Sequence, residues 1–238
     1  MPRPARFAFA GQPQHIVQRG NNRQPIFFTE SDYRVYVSCL IEAKRKYGCQ
    51  VHAYVLMTNH VHLLASAAEV AHVSRMMQHL GARYVRYINS KHHRTGTLWE
   101  GRFKASLIDS ELYFLQCCRY IENNPLRAGI VGDPADYAWS SHRFHAFGND
   151  DQLLTAHELY RRLGNTPDER QRHYRELFLN ELGAQTLREI REAINRGWPL
   201  GGEQFKDRVE RALLRHARPP KRGRPKRGNA EAAQEMLL

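Results

Sequence analysis

Several things are scarce in this chain, and each scarcity narrows the reading. It has 4 cysteines in 238 residues, and Cys39, Cys49 and the adjacent Cys117 and Cys118 nowhere form the C-x-x-C spacing of a zinc knuckle or redox dithiol. That usage predicts reduced, mostly buried thiols without a chemical role. No apolar run approaches the roughly 18 residues of a membrane span. The opening MPRPARFAFAGQPQH holds too short an apolar stretch for a signal peptide. The expectation is therefore an intracellular, cytoplasmic protein. No internal repeat is evident, and no H-E-x-x-H is present to suggest a zinc hydrolase. Acidic residues are few beside basic ones: Asp and Glu number 24 against 36 Lys and Arg, for a net charge of +12. That excess suits a polyanion, because phosphate neutralisation supplies most non-specific nucleic-acid affinity.

What is present first is a regular alternation of strand and helix signals. HIVQR (His15–Arg19) reads as a strand followed by a polar turn. TESDYRVYVSCLIEAKRKYG reads as a helix, with Thr29 or Ser31 as its cap, acidic residues in its first turn and Gly48 after its basic end. CQVHAYVLM and HVHLLA read as two strands joined by a tight turn near Met57–Asn59. A second helix is expected from about Val70 to Ser90, then a further strand in the basic stretch ending KASLID. A third helix opens at Ser110 and halts before Pro125. The order β–α–β–β–α–β–α contains no parallel βαβ repeat, so the fold class expected is α+β, an antiparallel sheet covered by helices. From about Gln152 the chain turns helical, and RPPKRGRPKRGNAEAAQEMLL ends it as a basic tail expected to be disordered. The expected domains are 11–148, a helical extension over 152–217 and the tail over 218–238.

Two constellations carry possible chemistry. In TNHVHLL, His60 and His62 are two apart on a strand and share a face, so they can chelate a divalent cation. In RYIENNPLRAGIV, Tyr120 and Asn124 are i and i+4 at a helix end, which places a phenol beside an amide oxygen. Glu122 falls on a different helical phase. Tyr113 competes with Tyr120, since i and i+7 lie on nearly one stripe.

Together, in this order, the two motifs resemble the HUH single-strand nucleases and their single-tyrosine, IS200-like transposase branch. More narrowly, the chain is similar to the REP-associated tyrosine transposases, bacterial proteins tied to short palindromic repeats. The resemblance runs over about Gly11–His145, and REAINRGWPLGGEQFKDRVE with its basic tail is also similar to that subgroup. It implies a ferredoxin-like sheet and a nucleoid-associated enzyme acting on single-stranded, hairpin-bearing DNA, as a monomer or homodimer. It also implies Mg²⁺ or Mn²⁺ held by His60 and His62, with Asn124 the inferred third ligand. Better-known relatives place a glutamine where Asn124 stands. Tyr120 is the implied nucleophile, attacking phosphorus to leave a 5′-phosphotyrosine. Tyrosine is a weak nucleophile at its free pKa of about 10 and needs local activation.

Arg19, Arg23, Arg102, Lys104, Arg119 and Arg127 flank predicted element ends and suit a DNA path. Trp99 and Phe103 either stack unpaired bases beside those charges or close the core. In the tail, Arg222 and Arg224 sit in an Arg-Gly-Arg-Pro segment that looks like a minor-groove arm. The reading from a different class is a non-catalytic DNA-binding regulator. It would use TLREIREAINRGWPLGGEQFKDRVERALLR as a helix-turn-helix-like element.

Overall fold

The computed structural model describes residues 6–218, so Arg222, Arg224 and the arm-like segment lie outside the described residues. Four strands form one antiparallel sheet: β1 (Gln14–Arg19), β2 (Cys49–Met57), β3 (His60–Ala67) and β4 (Lys104–Leu107), in the order β2-β3-β1-β4. β2 and β3 are a hairpin with Met57 opposite His60, and Thr58 and Asn59 make the turn. The register of β3 on β1 sets Arg19 opposite His60, Val17 opposite His62 and His15 opposite Leu64. Because side chains alternate along a strand, His15, Val17, Arg19, His60 and His62 all point to one face.

The opposite face is closed by α1 (Glu30–Lys46) and α2 (His72–Lys91). Ile16, Val61, Leu63 and Ala65 pack there against Tyr36, Leu40, Met76 and Tyr84. The start of α1 is fixed by Asp32, whose fully buried carboxylate accepts from the backbone N–H groups of Phe28 and Thr29, both at 2.8 Å. Lys91 at the end of α2 donates to the same carboxylate at 2.7 Å. This contact ties one helix's first turn to the other's last.

The histidine-bearing face is covered by α3 (Ser110–Glu122) and the short α4 (Asn124–Arg127), which Asn123 alone separates. Beyond them come α5 (His142–Phe147), α6 (Glu158–Arg161), α7 (Pro167–Glu176), α8 (Ala184–Arg196) and α9 (Glu203–Leu213). The alternation read from the sequence is the observed one through α3, so the α+β class and helix-covered antiparallel sheet stand.

The later segments pack onto the sheet. Val55, Leu64, Phe114 and Tyr120 share a buried cluster with Tyr160, Tyr174 and Ile190. Loop residues also hydrogen-bond to the outer strands. Leu56 N–H donates to Trp139 O at 2.9 Å and Thr155 N–H to Val51 O at 2.8 Å, along β2. On the far side, Leu200 N–H donates to Leu107 O at 2.8 Å and Asp109 N–H to Leu200 O at 2.7 Å.

Candidate active site

His60 and His62 stand on adjacent same-face positions, their ring centroids 5.1 Å apart and their planes at 73°. Each has its Nδ1 engaged. His60 Nδ1 donates to Asn59 Oδ1 at 2.7 Å. His62 Nδ1 shares a 2.8 Å hydrogen bond with Nε2 of the buried His15. Donation from Nδ1 fixes the His60 tautomer and leaves its Nε2 as a lone-pair donor, and His62 presents the same free Nε2 in the tautomer whose Nδ1 donates to His15. Burial, and then the charge of Arg19, pulls the His60 pKa down to about 4. Burial, with His15, His60 and nearby arginines, holds His62 well below its ordinary value. Both rings are therefore neutral, the form that ligates a cation.

α3 brings the phenol to this pair. Its buried stripe of Phe114, Cys117, Cys118 and Ile121 seats the helix on the sheet. Tyr120 then packs edge-on to His15 and His62, with centroids 5.7 and 5.9 Å away. Its hydroxyl has no hydrogen-bond partner among the described residues. The Arg127 guanidinium sits 4.4 Å from the Tyr120 ring centroid and donates to its backbone carbonyl at 2.6 Å. Asn124 donates its amide N–H to the carbonyls of Tyr120 (3.0 Å) and Ile121 (3.1 Å), so its Oδ1 is the atom left for a ligand. Among the described residues no group of three His, Cys, Asp or Glu side chains is placed to hold a metal. The two histidines plus an amide oxygen are the donor set that the fold brings together, and it fits a divalent ion whose remaining positions take water and substrate oxygens. Tyr113 is spent elsewhere: its hydroxyl donates to Glu189 Oε2 at 2.7 Å, and burial with that contact pushes its pKa up to about 12.

His60, His62, Tyr120 and Asn124 line one open pocket of about 710 Å³. Arg19, Arg102 and Lys104 lie on its wall, as the sequence suggested, together with Glu100 and Arg191, which it did not single out. Arg23 is exposed in a turn where Asn22 and Arg23 both have positive φ, 51° and 59°. Two expected DNA contacts are placed otherwise. Arg119 points away from the pocket, donating to Asn180 O with its guanidinium 6.0 Å from the Phe178 ring. Trp99 is buried at 9% exposure beside Tyr84, so it closes the core and offers no free face to a base. Phe103 is half-buried, with the Arg6 guanidinium 3.6 Å over its ring.

Three further residues shape the site without having been foreseen. His15 looked like one more residue of a strand, and its contact with His62 depends on β1 lying beside β3. Glu122 is fully buried and accepts hydrogen bonds from Ser141 (2.5 Å), His145 (2.7 Å), Tyr174 (2.8 Å) and His142 (3.2 Å). A carboxylate adjoining the apolar stripe of α3, with His142 and His145 three apart later in the chain, was the available signal. The third is Arg191, on α8.

Comparison with known proteins finds a family and a fold that this chain resembles. The model of the family described as "Transposase IS200 like" matches residues 10–124. A solved structure of a REP-associated tyrosine transposase bound to a REP hairpin overlays with a TM-score of 0.54 at 19% identity, covering 66% of this chain and 93% of that one. A second, of a protein from Deinococcus radiodurans assigned as a transposase, covers 51% of this chain and 97% of its own at 19% identity, with a TM-score of 0.36. No curated protein matches.

Proposed function

Residues 10–124 of this chain match the model of the IS200-like transposase family, and from that premise we propose a metal-dependent transposase that cleaves and rejoins hairpin-bearing single-stranded DNA. One observation supports this reading above the others: the free hydroxyl of Tyr120 opens into the same pocket as His60, His62 and Asn124. His60 and His62 are the metal ligands, through the nitrogens left free by Asn59 and His15, and Asn124 Oδ1 is the third. Mg²⁺ or Mn²⁺ bound there would polarise a non-bridging phosphate oxygen as a Lewis acid.

The chain's own groups do the rest. Tyr120 Oη attacks phosphorus, giving up its proton as the new O–P bond forms and the bond to the 3′ oxygen breaks. The departing oxygen takes up a proton and leaves as a 3′-hydroxyl, and the 5′ phosphate stays on the tyrosine. Arg127 puts positive charge beside the phenol as it loses its proton. No phosphodiester energy is lost to water, so another 3′-hydroxyl can reverse the step and join strands. Arg19, Arg102 and Lys104 meet the flanking phosphates. Because the REP-associated relative is bound to a REP hairpin, palindromic repeats of that kind are the substrate to try first.

The test uses a 3′-labelled hairpin oligonucleotide incubated with the full chain and Mn²⁺ or Mg²⁺, then denatured. Label migrating with protein, and lost in Tyr120→Phe, in His60→Ala and with chelator, is the expected result. Tight binding with no adduct across several repeats and both ions would instead favour the non-catalytic regulator.

A further inference from the structure

Arg191 is carried by a helix beyond the family match, yet it lines the same pocket as Tyr120 and the histidine pair. The placement of α8 is specified from several sides. Ile190, Ala193 and Ile194 are buried, and Tyr113 of α3 binds Glu189. At its end Gly197 adopts φ 71°, turning the chain so that Trp198 O accepts from Ser106 Oγ of β4 at 2.6 Å. Leu200 then pairs with the β4 backbone. Arg191, Ile194 and Asn195 therefore face the pocket as one i, i+3, i+4 surface, and Asn195 Oδ1 accepts from Lys104 Nζ at 3.2 Å.

The other charged residues of α8 have partners. Arg188 bonds Gln185, Arg196 pairs with Glu192, and Glu189 is held by Tyr113 and Gln185. Arg191 has neither a hydrogen bond nor a carboxylate among the described residues. Its charge is felt at Arg127, whose pKa burial lowers, Tyr120 raises and Arg191 lowers further. Arg127 thus lies over the Tyr120 ring, and Arg191, with no ion pair of its own among the described residues, lines the pocket that Tyr120 shares with the histidine pair. Proteins place arginines so where an anion with several oxygens arrives, since the planar fork matches phosphate.

We infer that Arg191 is a catalytic residue of the C-terminal extension, contacting the scissile phosphodiester in the pocket that Tyr120, His60 and His62 line. This rests on the strand-transfer reading above and adds a role for the extension within it. As the phosphoryl group passes between Tyr120 Oη and the 3′ oxygen, the guanidinium N–H groups hold the non-bridging oxygens. The charge is already in position, so it acts without reorganisation.

The test separates contact from chemistry. In a Tyr120→Phe background, which forms no adduct, the affinity for the single-stranded hairpin oligonucleotide is measured against salt. Arg191→Gln should lower the log–log slope by about 0.7, the share of one phosphate contact on a single strand. Arg188→Gln, on the same helix but outside the pocket, should leave it unchanged. In the Tyr120-bearing protein at saturating DNA, Arg191→Gln should slow adduct formation by roughly 10²-fold, with Arg191→Lys falling between. An unchanged slope overturns the inference, as does a lowered slope with an unchanged rate at saturation, which would put the contact at another phosphate. If no form of the protein yields an adduct, the strand-transfer reading fails. The salt slope still decides whether Arg191 meets a phosphate.

Discussion

Replacing Glu122 should unseat the end of α3 although Glu122 lies outside the candidate pocket. Its carboxylate is fully buried and is the common acceptor for Ser141, His142, His145 and Tyr174. Glu122→Ala removes the acceptor and leaves four donors in an apolar surround. Breaking a buried charged pair from one side costs about 3–5 kcal/mol. For a chain of this length each kcal/mol moves Tm by about 2–4 °C, so the melting temperature should fall by about 6–20 °C in a calorimetric or circular-dichroism melt. Glu122→Gln, which keeps the shape and loses the charge, should fall less. Acid supplies a second readout. Burial alone would raise the Glu122 pKa, but the charges and hydrogen bonds of His145 and His142 bring it down to about 2 from an ordinary 4.5. A depressed carboxylate stabilises the fold fully above about pH 4.5 and loses that contribution as pH falls toward 2. The variant should lack this part of the acid transition. A Glu122→Ala melt within about 2 °C of the parent, with the same acid profile, would refute the reasoning.

Four other outcomes are expected. Tyr113→Phe should keep adduct formation and lose only about 1 kcal/mol from the missing bond to Glu189; loss of the adduct at full stability would move the nucleophile. Because the His60 pKa lies near 4 and that of His62 well below its ordinary value, protons compete for the pair only in acid. Mn²⁺ affinity, followed by titration calorimetry, should then be flat from about pH 8 to 5.5; a fall centred on the ordinary histidine value of about 6.5 would contradict the buried, neutral pair. Asp32→Ala should cost about 3–5 kcal/mol in urea denaturation, because Lys91 and two backbone N–H groups lose their acceptor; a cost under about 1 kcal/mol would show the clamp to be ornamental. Gly20→Ala should destabilise the turn beside His60, since an added Cβ would lie 2.2 Å from Gln24 O, and an unchanged denaturation midpoint would show that the turn yields.

The strands, helices and their order were legible because each relied on a local pattern: alternation in HVHLLA, the cap and basic end of α1, the halt before Pro125. The juxtaposition of His60 and His62 was legible for the same reason, as was that of Tyr120 and Asn124. Long-range placement was not. His15 meets His62 only through the β1–β3 register, and Trp99 could not be assigned to core or surface before α2 was laid against it. Arg119 and Arg127 looked alike in the sequence. A little over two turns separates them, and one binds the carbonyl of Asn180 while the other lies over the tyrosine ring. Arg191 was hidden most thoroughly, since its approach to the pocket depends on the whole return of the chain to β4.

The hydrogen bonds along both outer strands bear on how much of the chain can be removed. The family match stops at residue 124, whereas Trp139 and Thr155 satisfy the outer edge of β2 and Leu200 that of β4. A fragment ended at that boundary would retain all four strands and the histidine–tyrosine set but would have two open sheet edges. Unpaired edges of that kind recruit other strands, so such a fragment should self-associate before it shows any chemistry of its own. Inactivity in it would then report lost solubility and say nothing of His60, His62 or Tyr120. The smallest soluble unit of this protein should therefore reach at least to Leu200, well past the residues that the family model matches.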